Sequence, residues 1–454
     1  MSEGSGIRIR RVELFERPVT LRLPFRFGAA TVTGCPQAFV RVEVEQSGRA
    51  FTGASAELMV PKWFDKSPAL THEQNFEQLR EALRIARAHY TACGDTLSPW
   101  RLSQHCGEAA LAQAVALGLP RLVAQFGLAQ LDKAVADAAL RAAGRGWVEG
   151  VQQGVLGDPF HAVLTLRRAD RVLLRHTVGL ADRIFDTDAG PDPQDGLPAT
   201  LEAALRTYGL THFKLKLSGK AEADDERLAR IAELLDAQGG DYRVTLDGNE
   251  TFADAQALAA FWQRLRAQPA LANLRSRTLL LEQPLPRAIA LKTSVAELDI
   301  EVPLILDESD DHPQALAEGL ALGWRGISSK ACKGIYRSLA SATQLARAPQ
   351  SGLLLSGEDL TCQAGLAVQQ DSLLASSLGV THIERNGHHY VDGFGRAPEL
   401  ESASFQAMHP GLYGPLGTPA RLQVHGGRLD LSSLHGPGFG SDAIPCWASL
   451  QPIH

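Results

Sequence analysis

The chain has no basic run, no long apolar run and no paired-cysteine motif, and each absence removes a class of function. No apolar stretch approaches the roughly 18 residues of a membrane span, so no membrane partner is expected. The formal charge of −6 is mild and spread along the 454 residues, and without a basic patch nucleic acid is not expected either. The six cysteines are scattered, with no Cys-x-x-Cys. That is the usage of a reducing cytoplasm, not of a disulfide framework or a zinc site. The opening Met1-Ser-Glu-Gly-Ser-Gly-Ile-Arg shows no apolar segment of the secretory kind, so a cytoplasmic location is expected.

What the chain does have is enough apolar residues (44%) for a large core and two domains. Residues 1–150 read as an α+β domain. Ile7–Phe15, Val19–Leu23 and Ala38–Glu45 alternate like antiparallel strands, with Pro24–Val32 as a loop between them. Thr71-His-Glu-Gln74 is a capping box, and Phe76, Leu79, Leu83, Ala86 and Tyr90 keep one helical face. From 151 to 400, strands alternate with helices eight times over about 230 residues, the count and length of a (β/α)8 barrel. A doubly wound open sheet is the other architecture this alternation fits. Residues 401–454 turn irregular and are expected to pack back on the first domain.

The barrel strands end in chemistry. Phe213-Lys-Leu-Lys-Leu217 puts Lys214 and Lys216 on one face, either solvated or turned into a site. Later strands end at Asp247, Glu282, Asp307 and Lys330, between 23 and 35 residues apart, about one βα unit each. In a (β/α)8 barrel all five then reach one rim. The alternative for each acid is that it caps the helix that follows. Three converging carboxylates repel unless a cation sits among them, and all-oxygen ligation selects Mg2+ or Mn2+ before zinc. Lys216 and Lys330 stand on strands two and six, on opposite sides of that cation. Such an arrangement suits removal of a proton α to a carboxylate, with the metal stabilising the enediolate. Like-charge repulsion from Lys214 is expected to lower the pKa of Lys216.

These pieces, Lys214-Leu-Lys216, Asp247-Gly-Asn249, Leu281-Glu282-Gln-Pro, Leu306-Asp307-Glu308-Ser and Lys330-Ala-Cys-Lys333-Gly-Ile, together resemble the enolase superfamily. The resemblance is to its muconate-lactonizing-enzyme-like subgroup, within the mandelate racemase/muconate lactonizing enzyme family. A lysine base with Mg2+ is the general pattern of such sites. The resemblance implies a (β/α)8 (TIM-like) barrel with an N-terminal α+β capping domain completed by the C-terminal segment. It implies Asp247, Glu282 and Asp307 as metal ligands and Lys216 and Lys330 as acid/base catalysts. Lys214 is implied as a supporting cation, and Asn249, Glu308 and Lys333 as residues backing the ligands. Strand seven ends in Gly357-Glu358-Asp359 with no histidine, which argues against the mandelate-racemase-like and sugar-acid dehydratase branches.

Specificity in such proteins comes from capping loops and the last strand ends, here Arg26 and Phe27 on the first loop and Glu358, His382 and Glu384 on the barrel. A second capping loop is expected at about Ala54–Trp63. Arg26 is a candidate for a distal carboxylate. Glu384 hints at a substrate ammonium, with a rim salt bridge as its bland alternative. The expected activity is an isomerase of a small carboxylate, a racemase or epimerase of an N-acyl amino acid or dipeptide. The alternatives are a cycloisomerase or syn-eliminating lyase, or a non-catalytic acid-binding barrel. A homo-oligomer is also implied. His388-His389, Ser218-Gly-Lys220 and Gly436-Pro-Gly-Phe-Gly440 lack the flanking elements of a metal or phosphate site and read as loops. The chain is also longer than the subgroup's pattern near 94–105 and 150–195.

Overall fold

The computed structural model describes residues 6–239 and 241–454, so the first five residues, on which part of the no-leader reading rests, lie outside the described residues. The chain opens with a meander of three strands, β1 (Arg8–Phe27), β2 (Ala30–Gln46) and β3 (Arg49–Leu58), all antiparallel. Pro24–Val32 is therefore not a loop. Phe25, Phe27 and Val32 are buried while Arg26 and Thr31 are exposed, a period-two pattern that keeps both strands running to a tight tip. Gly28 turns that tip at a positive φ of 49°.

Helices α1 (His72–Ala92) and α3 (Arg121–Ala142) pack on this sheet, and α2 (Pro99–Ala116) packs on both of them. Thr71 accepts from the Gln74 backbone N–H while the Gln74 side chain accepts from Thr71 N–H, the reciprocal cap expected of the sequence. Helix α2 was not anticipated. Its buried Leu102, Cys106, Ala110 and Ala114 recur every four residues, but small side chains blur the stripe. Helix α3 runs through the middle of the domain, and glycines let it approach both neighbours. A Cβ on Gly127 would lie 2.1 Å from the Ala82 carbonyl of α1, and one on Gly53 of β3 would lie 2.1 Å from the Ala134 carbonyl of α3. Gly127→Val is thus expected to lower stability by at least about 1–3 kcal/mol, since backbone must move to admit the side chain. A urea midpoint equal to that of the parent protein would refute this close packing.

The second layer of organisation is a closed ring of eight parallel strands: β4 (Arg171–Val178), β5 (His212–Lys216), β6 (Arg243–Asp247), β7 (Thr278–Glu282), β8 (Leu304–Leu306), β9 (Gly326–Ser329), β10 (Leu354–Gly357) and β11 (His382–Arg385). The pairing of β11 with β4 closes the ring and rules out the open sheet. The helix after β7 is a single turn, Arg287–Ala290. Thr293, Ser294 and Val295 are weak helix formers, and Val295 N–H instead bonds the Leu322 carbonyl.

The C-terminal stretch touches both halves. β12 (Arg428–Asp430) lies antiparallel on the start of β4, and β13 (Gln451–Pro452) pairs with Phe15 and Glu16 of β1. Arg17 grips Glu401 with two hydrogen bonds of 2.9 and 2.7 Å, both side chains buried. The loop 186–196 is held to β1 by Arg22, whose guanidinium bonds Asp195 at 2.6 and 2.8 Å.

Candidate active site

The site begins with strand register. Lys216, Asp247 and Glu282 are direct lateral partners on β5, β6 and β7, so three successive strands present them in one row at their C-terminal ends. Asp307 follows β8 by one residue and Lys330 follows β9 by one. The solvated-lysine alternative for β5 does not hold, because Lys214 is 0% and Lys216 7% exposed.

Each outer lysine is paired with one strand-end carboxylate under an aromatic ring from the meander domain. Lys216 Nζ donates to Asp247 Oδ2 at 2.6 Å and lies 5.9 and 5.8 Å from the rings of Phe25 and Phe27. Lys330 Nζ donates to Asp307 Oδ2 at 2.5 Å and lies 4.3 Å from the ring of Trp63. Burial pulls the Lys330 pKa down, but Asp307 outweighs it and holds the group above the usual lysine value. Asp307 is correspondingly held low: burial raises it, and Lys330 and Lys333 together reverse that. Lys333 donates to Ser328 O and Oγ at 2.8 and 2.9 Å and lies 3.0 Å from Asp310, and Ser328 Oγ in turn donates to Asp307.

Lys214 is the centre of charge. Its Nζ lies 2.9 Å from Asp247, 2.7 Å from Glu282, 2.6 Å from Glu358 and 2.9 Å from Glu384. Burial opposes the charge, but the four carboxylates raise its pKa well above the ordinary lysine range. Lys214 does not act as a bare cation beside Lys216, because four acids compensate its charge. The uncompensated carboxylates imagined from the sequence are likewise partly answered by this buried ammonium.

Whether the acids suit a divalent cation turns on what remains unpaired. Glu282 is 0% exposed, and neither of its carboxylate oxygens has a hydrogen-bond donor, although Lys214 stands close. Burial, then Asp247 and Glu358, push its pKa well up. Asn249 Oδ1 and Glu308 Oε2 are also buried without a partner. All the candidate donors are oxygens on adjoining strand ends, the chemistry of a hard ion, so the residues fit Mg2+. The lysines hold Asp247 and Asp307 to separate sides, and the oxygens of Asp247, Glu282 and Asp307 are not gathered within 4.8 Å of one another.

The remaining candidates divide. Asn249, at a positive φ of 41°, donates its backbone N–H to Asp247 Oδ1 at 2.9 Å and its Nδ2 to Glu308 Oε1 at 3.2 Å. Phe27 faces Lys216, whereas Arg26 is exposed on the other side of its strand. His382 is not at the site. It opens β11, two residues below Glu384, where its Nδ1 meets Arg175 at 2.9 Å and its ring stacks on His212. Glu358 is engaged by Arg175 and Lys214. Glu384 accepts from Thr177 at 2.7 Å, Asn386 at 3.1 Å, Asp359 N–H at 3.0 Å and Lys214. With its oxygens filled, Glu384 belongs to the barrel floor and not to a substrate ammonium.

Several contributors escaped the sequence. Arg175 sits inside an apolar strand, and the charge there was the available signal. Gln283 locks the neighbouring strand end, accepting from Asp307 N–H at 2.8 Å and Ser309 N–H at 3.1 Å. Lys66 reaches from the meander domain to Glu250 at 2.6 Å and Glu308 at 3.3 Å, and Arg287 donates to the carbonyls of Trp63 and Phe64. The second capping loop, expected at about Ala54–Trp63, starts later than that, because β3 runs to Leu58 and the residues that reach the site follow it.

No family model matches the chain, and no curated protein does. Solved structures match over nearly its whole length. One is a dipeptide epimerase from Enterococcus faecalis in complex with Mg and L-Leu-L-Tyr, 16% identical, covering 95% of this chain and 99% of that one with a TM-score of 0.61. Another is an enolase from Bradyrhizobium with magnesium and mandelic acid, 18% identical, 98% and 99% covered, TM-score 0.62. A third is a muconate lactonizing enzyme from Mucobacterium smegmatis, with muconolactone, 18% identical, 98% and 99% covered, TM-score 0.61. The closed eight-stranded barrel with its N-terminal antiparallel sheet domain is therefore a fold this chain shares with these three proteins.

Proposed function

We propose that this chain is an enzyme of the mandelate racemase/muconate lactonizing enzyme family that moves a proton at the carbon α to a substrate carboxylate. The observation that carries it is the pair Lys216 and Lys330. They stand four strands apart in a ring of eight, hence on opposite sides, each buried beneath an aromatic lid and beside a strand-end carboxylate. A planar carbon held between them presents one face to each lysine. Asp247, Glu282 and Asp307 would hold Mg2+, which would supply positive charge to the substrate carboxylate. Phe25, Phe27 and Trp63 exclude water from the two ammonium groups, so their charge is set by the carboxylates and not by bulk solvent.

Within that chemistry the leading substrate class is an amino-acid derivative, an N-acyl amino acid or a dipeptide, racemised or epimerised by 1,1-proton transfer. The aromatic lid favours an apolar side chain, and the similar epimerase structure contains L-Leu-L-Tyr. The test is α-deuterium uptake in D2O, with and without Mg2+, over N-acyl amino acids, dipeptides and muconate-like diacids. Mg2+-dependent uptake with loss of optical rotation is expected for an apolar dipeptide or N-acyl amino acid. Uptake confined to diacids would overturn the substrate class, and none in the panel would overturn the proton-transfer reading for these compounds.

A further inference from the structure

The connection from α1 to α2 brings together side chains that the barrel chemistry does not use. Cys93 closes α1, and His105 lies on α2 beyond the connecting loop. Donor atoms of Cys93, Asp95 and His105 all fall within 4.8 Å of one another. A sulfur, an imidazole nitrogen and a carboxylate oxygen at that separation are the ligand set of a borderline ion, and a thiolate disfavours Mg2+. Cys93 is 8% exposed and Asp95 and His105 are exposed, so an ion entering from solvent meets two ligands first and the sulfur behind them. Cys106, the neighbour of His105, is engaged elsewhere: its Sγ donates to the His89 carbonyl at 3.6 Å.

We propose that Cys93, Asp95 and His105 form a zinc site that pins the start of α2 to the end of α1. On binding, the Cys93 thiol gives its proton to solvent as the zinc–sulfur bond forms, and the ion sheds water for the protein ligands. The fourth position stays with solvent. The loop it would fix has structural work already. Ile7 and Leu97 exchange backbone hydrogen bonds of 2.8 and 3.0 Å, and Trp100 packs on Tyr336 and Phe160 at ring-centroid distances of 5.0 and 5.1 Å. The site therefore sits where the helical layer meets the barrel.

Co2+ serves as the probe. Full-length protein, stripped with a chelator and kept reduced by a phosphine, is titrated with Co2+ and then with Zn2+. The expected result is a thiolate-to-cobalt charge-transfer band that Zn2+ bleaches. Cys93→Ser abolishes the band, and His105→Ala, a change at an exposed position, weakens Zn2+ binding by about tenfold or more. Glu282→Gln leaves the band in place, which separates this site from the all-oxygen barrel site. No band in the parent protein, or a band that survives Cys93→Ser, would overturn the proposal.

Discussion

Alanine at Lys216 and alanine at Lys330 are each expected to lower the racemisation rate by about 10²–10⁴-fold, the range that a positioned acid or base supplies. The two losses are expected to be of similar size, because two-base transfer needs one group on each face. Exchange should distinguish the variants in mirror image: each still exchanges the enantiomer whose proton faces the surviving lysine, without inversion. Both variants are expected to fold. Asp247 keeps Lys214 at 2.9 Å when Lys216 is gone, and Asp307 keeps Ser328 and Lys333 when Lys330 is gone. A large loss in one variant with near-parent activity in the other would exclude two-base racemisation and point to a one-base cycloisomerase or lyase.

The largest stability effect is expected at Lys214. Lys214→Met keeps an unbranched side chain but leaves Asp247, Glu282, Glu358 and Glu384 facing one another in the barrel interior. Removing one partner of a buried charge cluster costs about 3–5 kcal/mol, and four acids here share the one ammonium. The loss is expected to depend on pH with a definite sign. Glu282 is already pushed up by burial, and without Lys214 its folded pKa rises further above the unfolded value. The folded variant then binds more protons than the unfolded chain, so its stability falls as pH rises through that window. Urea unfolding at about pH 5 and about pH 8 reads this directly, with the deficit larger at the higher pH. Equal deficits would show that packing and not charge explains the loss. Lys214→Arg is not expected to rescue, since a planar guanidinium cannot occupy the point where four carboxylates converge.

The barrel was legible because its signals are local. Acids and lysines directly after apolar runs, one βα unit apart, mark strand ends whatever surrounds them, and the row Lys216, Asp247, Glu282 follows from register alone. What the spacing could not carry was which acids face which lysine. Lys214 was read as a cation acting on its neighbour two residues away, yet its partners are on β6, β7, β10 and β11, up to 170 residues distant. Glu384 and His382 share a strand face, but one lies at the site's floor and the other at the opposite end of the strand. Face parity fixes a direction and not a height. The hairpin tip was misplaced for a different reason: Pro24 and Gly28 suggest a loop, while the burial of Phe25, Phe27 and Val32 keeps the strands paired through it.

The pairing of β13 with β1 has a consequence for the order of assembly. Phe15 and Glu16 find their strand partners at Gln451 and Pro452, more than 400 residues later in the chain. Arg17, a neighbour of these on β1, waits for Glu401 to complete its buried ion pair. The same strand carries Phe25 and Phe27 to Lys216. During translation the barrel strands are therefore available to one another while the edge of the first sheet is still open, and contacts of such long sequence separation form late. The aromatic cover over Lys216 is then set in its final place only after residues 451–452 have been made, so a nascent chain arrested short of them would carry all five catalytic and ligand candidates with the sheet that roofs them unfinished.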